Sequence, residues 1–105
     1  MASMKSGADT KKLLEIIEMR AAEVNCERLI REVCQLLSES ESNASVKIYK
    51  NLRPGTDWSI HLLYEAKELD LQGSELAILI KEILKKFGIV YHSIWLEQPF
   101  NINKQ

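Results

Sequence analysis

Residues 74–97 read SELAILIKEILKKFGIVYHSIWLE, and the hydrophobic period changes in the middle of the run. Leu76, Leu79, Ile80, Ile83, Leu84 and Phe87 recur at the three-to-four-residue spacing of one helix face. Ser74 is a good N-cap residue, and Glu75 suits the positive end of the helix dipole. Lys81, Lys85 and Lys86 load the opposite end, and Gly88 follows as a C-terminal stop with an expected positive φ. From Ile89 the residues turn β-branched and aromatic and alternate with period two, as in a strand, until Pro99 ends it. The stretch therefore predicts a helix over 74–87 running directly into a strand over 89–97.

Upstream, Trp58–Ala66 alternates as a second strand, and 45–51 as a third. Between them Pro54 presets φ and Gly55 permits a positive φ, so 53–56 reads as a tight turn. Two strands joined by such a turn form an antiparallel hairpin.

Residues 10–38 carry helical spacing with a complication. Leu13, Leu14, Ile16, Ile17, Ala21 and Val24 share one side of a helix, while Cys26, Leu29, Ile30, Val33, Leu36 and Leu37 share another. On one continuous helix the two stripes point about 180° apart. Either the helix breaks near Asn25, or it continues and its halves bury against different neighbours. No Gly or Pro forces a break, so the reading adopted is a continuous helix whose first half reaches a partner subunit; the competing account has the segment 10–24 fold over its own sheet.

The resulting order is α-β-β-α-β. A β-α-β crossover makes its two strands parallel and is right-handed in nearly all proteins. The expected architecture is an α+β two-layer sandwich with a three-stranded mixed sheet, Trp58–Ala66 at its centre. Over residues 26–98 this order resembles a ferredoxin-like fold without its first strand. The resemblance is one of topology and implies no activity. The domain is expected to span 10–98, with a disordered or tag-like segment at 1–9 and a flexible tail at 99–105.

Alternation sorts the strands into two faces. Val46, Ile48, Trp58, Ile60, Leu62, Tyr64, Val90, Ile94 and Leu96 form an apolar face for the helices to cover. From these and the second helix, Ile60, Leu62, Ile83, Phe87 and Ile94 are the expected core. The opposite face carries Lys47, Tyr49, Ser59, His61, Leu63, Glu65, Ile89, Tyr91, Ser93 and Trp95. Two helices cannot cover both sides, so this second face is read as an interaction surface. Tyr49, His61, Leu63, Tyr91, Ser93 and Trp95 are its ligand or interface candidates.

Candidate chemistry is sparse. His92 falls on the covered face and reads as a satisfied core imidazole; His61 is the better proton-transfer candidate, with Ser93 and Tyr91 expected on the adjacent strand. Asp57 with Glu65 and Lys67 imitates a nuclease metal site, but eight residues of one strand separate the carboxylates by roughly 26 Å. Cys26 and Cys34 would lie roughly 12 Å apart on a helix, too far for a disulfide, and read as small buried hydrophobes. The chain has no phosphate-binding glycine loop, zinc-protease motif or nucleophile elbow. No catalytic residue, metal or cofactor is assigned.

Composition narrows the partners. The chain has 105 residues, 46% apolar and 28% charged, with a net charge of −1. That charge exerts no long-range pull on nucleic acid or anionic membrane. No apolar run approaches the ~20 residues of a bilayer span. Residues 1–9 lack the apolar stretch of a signal peptide, and the cytoplasm is the expected compartment. The reading is a small cytosolic interaction or accessory domain, homodimeric through the mixed face. Another protein or an apolar small molecule is the other occupant considered. The alternative function is a small-molecule binder or enzyme of the dimeric ferredoxin-like type, with a pocket near His61, Tyr91 and Trp95.

Overall fold

The computed structural model describes residues 10–20, 26–52, 57–100 and 102. The elements run β1 (Lys11–Arg20), α1 (Cys26–Glu39), β2 (Ser45–Lys50), β3 (Trp58–Ala66), α2 (Glu75–Leu84) and β4 (Ile89–Leu96). The four strands form one sheet in the order β2-β3-β1-β4, and every neighbouring pair is antiparallel.

The chief correction concerns residues 11–20, which form a strand and not the first half of a helix. β1 is a central strand with apolar side chains on both faces. Leu13, Ile17 and Met19 are buried on one side, while Leu14 and Ile16 point to the other. A strand buried on both faces reads as a near-continuous apolar run. The pairs Leu13-Leu14 and Ile16-Ile17 then reproduce helical spacing by accident. The half-turn offset from the later stripe arises because a strand precedes a helix there. Helix α1 begins at Cys26; Asn25 and the connection 21–25 lie outside the described residues.

The sheet is consequently four-stranded and antiparallel, not three-stranded and mixed. β3 and β4 do run in one direction, as their crossover requires, but β1 inserts between them and opposes both. β1 is the strand whose absence the sequence reading assumed. The hairpin pairing of β2 with β3 is as expected, and Asn51 N–H donates to Asp57 O at 3.0 Å to close it. The turn at 53–56 lies outside the described residues, as do the N-terminal segment 1–9 and most of the tail.

Both helices pack on one face. Leu29 and Val33 of α1 and Leu76, Ala77, Ile80 and Leu84 of α2 form a single buried cluster with Ile17, Met19, Ile60 and Leu62. Outside that cluster, Lys86 Nζ reaches Glu32 Oε1 at 2.9 Å, and the Arg28 guanidinium lies 5.6 Å from the Phe87 ring centre, tying α1 to the end of α2. Ile60 and Leu62 are buried as expected, but Ile83, Phe87 and Ile94 are only half-buried. The deepest line of α2 runs through Leu76, Ile80 and Leu84, rotated slightly from the predicted stripe. Cys34 is exposed rather than buried, because it lies on the side of α1 away from Leu29 and Val33.

Ser74 caps α2 as predicted: its hydroxyl accepts from Ala77 N–H. Gly88 does not take a positive φ; among the described residues only Gly73 does, at +99°. The helix end tightens instead. Lys86 and Phe87 N–H donate to the carbonyls of Ile83 and Leu84, three residues back, so the chain leaves the helix without a left-handed residue. No helix of the described residues is long and apolar enough to cross a membrane.

Candidate functional site

The face of the sheet away from the helices is uncovered, and β1 completes it. Register places the outward side chains in rows across all four strands. One row runs Ser45–Leu63–Leu14–Trp95. The next runs Lys47–His61–Ile16–Ser93. The third runs Tyr49–Ser59–Glu18–Tyr91. Leu14 and Ile16 thus bridge the predicted residues of β3 to those of β4. They were missed because 11–20 read as helix; the signal was the β-branched pair Ile16-Ile17 beside alternating Glu15, which suits a strand.

The six predicted residues all lie on this face. Tyr49, Leu63, Tyr91 and Trp95 are 46%, 42%, 55% and 57% exposed; His61 and Ser93 are half-buried. His61 Nε2 lies 3.1 Å from Ser59 Oγ, and the Tyr49 and His61 ring centres are 4.6 Å apart. Trp95 Nε1–H donates to Ser93 Oγ at 2.9 Å. The structure does not place Ser93 and Tyr91 on the strand next to His61. β1 intervenes, and Ile16 separates His61 from Ser93. A proton relay among them has no path through that apolar side chain.

A recess of about 370 Å³ opens at the end of the face, lined by Tyr49, Ser59, Glu18 and Tyr91 together with the start of the hairpin. His61, in the next row, and Trp95, two rows away, do not line it. Asp57 and Glu65 stand at opposite ends of β3. Asp57 pairs with Arg20 at 3.5 Å, and Glu65 Oε1 accepts from the Thr10 hydroxyl at 2.9 Å.

The other polar constellation is beneath the helices. Glu15 is wholly buried. Its Oε2 accepts from the Tyr64 hydroxyl at 2.5 Å and from Ser74 N–H at 2.8 Å, and its Oε1 lies 2.6 Å from His92 Nε2. Lys81 Nζ sits 3.3 Å from His92 Nδ1. An ammonium can only donate, so Nδ1 accepts and the ring proton on Nε2 is given to Glu15. Burial pushes the Glu15 carboxyl up, but the donated bonds from Tyr64, Ser74 and His92 outweigh it and hold it below its ordinary value of 4.5. Burial and the adjacent carboxylate push the Tyr64 phenol up. The N-terminus of α2, reached through Ser74 N–H, adds favourable field.

This cluster resembles an acid–base site in composition, yet it is closed. The Glu15 side chain has no exposure, that of His92 has 8%, and Gly73 presses against both. No substrate atom can approach the carboxylate, so the group holds β1, β3, β4 and the start of α2 together. His92 has the satisfied core role that the sequence indicated; Glu15 was missed because a carboxylate at a core position breaks the usual pattern.

No protein-family model matches the chain, and no curated protein sequence matches it. Solved structures do. A dimeric ferredoxin-like protein from an uncultured marine organism superposes with a TM-score of 0.54 at 19% identity, covering 91% of this chain and 96% of that one. The chain has a ferredoxin-like fold. A dimeric protein of unknown function and ferredoxin-like fold from Bacteroides fragilis gives a TM-score of 0.49 at 16% identity, covering 82% of this chain and 96% of that one. The ferredoxin-like arrangement explains why both helices share one face: each β-α-β crossover is right-handed, and the two cross on the same side of the sheet.

Proposed function

We propose that this ferredoxin-like domain is a cytoplasmic interaction module that pairs with a second copy of itself through the open sheet face. The observation that carries the reading is the uncovered apolar block of Leu14, Ile16, Leu63, Tyr91 and Trp95, contiguous across three strands. Contiguous exposed apolar surface of this kind marks an interaction site. A two-fold pair laid face to face would bury it at the ~10 Å spacing of packed sheets. The ferredoxin-like protein from the marine organism is itself dimeric, which supports the same choice here. Burial of Leu13, Ile17 and Met19 within the domain's own core removes the first-helix argument for a dimer, so within this chain the open face carries the proposal.

Sedimentation equilibrium of the intact chain at tens of micromolar tests it. A dimer is expected, and Trp95→Glu should dissociate it by placing a charge in an apolar contact. A monomer overturns the proposal. So does a dimer indifferent to Trp95→Glu, which would place the contact elsewhere.

A further inference from the structure

We propose that the recess at the Tyr49–Tyr91 end of the open face binds a small organic cation, an alkylammonium or quaternary ammonium group. The proposal does not rest on dimerisation, because one copy of the chain carries all of the residues it uses. Its basis is the third row of the open face. Ser59 and Glu18 form the floor on β3 and β1, and Tyr49 and Tyr91 stand on the flanking strands β2 and β4. Three strand spacings separate the tyrosine backbones by roughly 14 Å, and both residues line the recess, with the Tyr49 ring resting against His61 at 4.6 Å. The recess is open to solvent on one side, and its volume of about 370 Å³ is within the range of small-ligand sites.

Charge selects the ligand. Among the described residues, four charged side chains line the recess: Glu18, Arg20, Lys50 and Asp57. Arg20 and Asp57 pair with each other at 3.5 Å. Lys50 directs its ammonium at the Trp58 indole, 5.6 Å from the ring centre. Glu18 is exposed and has no cationic partner among the described residues. An unpaired carboxylate in a recess lined by two tyrosines attracts a cation twice over, by direct Coulomb attraction and through the negative ring faces. An anion would meet repulsion from Glu18, and a neutral apolar ligand would leave the carboxylate desolvated without compensation.

The test uses the intact chain and two soluble probes that differ only at one atom, choline and its neutral carbon isostere 3,3-dimethyl-1-butanol. Amide chemical shifts are followed by NMR titration, with the oligomeric state measured on the same samples. Choline should give saturable shifts at Ser59, Glu18 and Tyr91, and bind at least about fivefold more tightly than the isostere, the ratio expected for one exposed cation–π or ion-pair contact. Glu18→Gln and, separately, Tyr91→Leu should each weaken choline about as much. Glu65→Gln, at the far end of the same face, should leave it unchanged. Thermal melting confirms that each variant folds. Absence of saturable shifts up to about 50 mM choline overturns the proposal, as does equal binding of the two probes or an unaltered affinity in Glu18→Gln. A change in dimer dissociation on Glu18→Gln without choline binding also overturns it and makes Glu18 an interface residue. A monomer that binds choline sustains this proposal while refuting the pairing of copies.

Discussion

His92 Nε2 of β4 lies 2.6 Å from Oε1 of Glu15 on β1, joining residues 77 positions apart beneath helix α2. The pair sits diagonally across the two strands, since Glu15 faces Ile94 and His92 faces Ile17 in the register. Tyr64 brings β3 to the same carboxylate and Ser74 brings the start of α2. One buried charge thus fixes four elements.

Removing that charge should be costly. Glu15→Ala leaves three buried donors without their acceptor and is expected to destabilise the domain by about 3–5 kcal/mol in urea titration. Glu15 is held below its ordinary value in the folded state, so its contribution is present above the unfolded value near 4.5 and lost as pH falls through the folded value. Stability should therefore fall as pH is lowered below about 4.5, and Glu15→Gln should flatten that fall. An unchanged acid limb in Glu15→Gln would assign it to other carboxylates.

Gly73 and Gly88 should respond oppositely to alanine. Gly73 has φ +99°, and a Cβ there would lie 2.5 Å from His92 Cε1 and 2.6 Å from Glu15 Oε1. Gly73→Ala is expected to cost more than the ~1–2 kcal/mol of a left-handed alanine alone, since the Glu15–His92 pair must also shift. Gly88 lacks a positive φ, so Gly88→Ala should stay within about 1 kcal/mol of the parent. Thermal denaturation of the two variants side by side settles the contrast.

The core line of α2 can be ranked by the same measurement. Ile80 and Leu62 have no exposure, whereas Ile83 is half-buried. Leu62→Ala and Ile80→Ala should each cost about 2–5 kcal/mol. Ile83→Ala should cost less than either. Equal losses at positions 80 and 83 would mean that α2 is rotated from the orientation described.

Trp58 offers a gain. Its Nε1–H is buried and finds no acceptor among the described residues. A buried unsatisfied donor costs about 1–3 kcal/mol, and Trp58→Phe removes it while giving up some of the ring's apolar contact. The two effects should nearly cancel, leaving a change smaller than about 1 kcal/mol. A loss of 3 kcal/mol or more, the cost typical of deleting a core aromatic, would show that the indole N–H is satisfied in solution.

Local pattern determined a good part of this protein. The helix after Ser74, the strand after Gly88, the hairpin pairing of β2 with β3 and the side on which each of their residues points all follow from short-range period and turn chemistry. Those periods also placed His92 inside and Tyr49, His61, Leu63, Tyr91, Ser93 and Trp95 on the open face. Residues 11–20 escaped this logic for a physical reason. Period identifies a strand only when its two faces differ, and β1 is apolar on both because it lies between β3 and β4. Its backbone N–H and C=O groups find partners 39 or more residues away, so only the assembled sheet decides between strand and helix. The same long-range pairing brings Glu15 to His92, sets Ile16 between His61 and Ser93, and aligns Glu18 with Tyr91. Neighbourhood across strands is a property of register, and register is set by the tertiary fold.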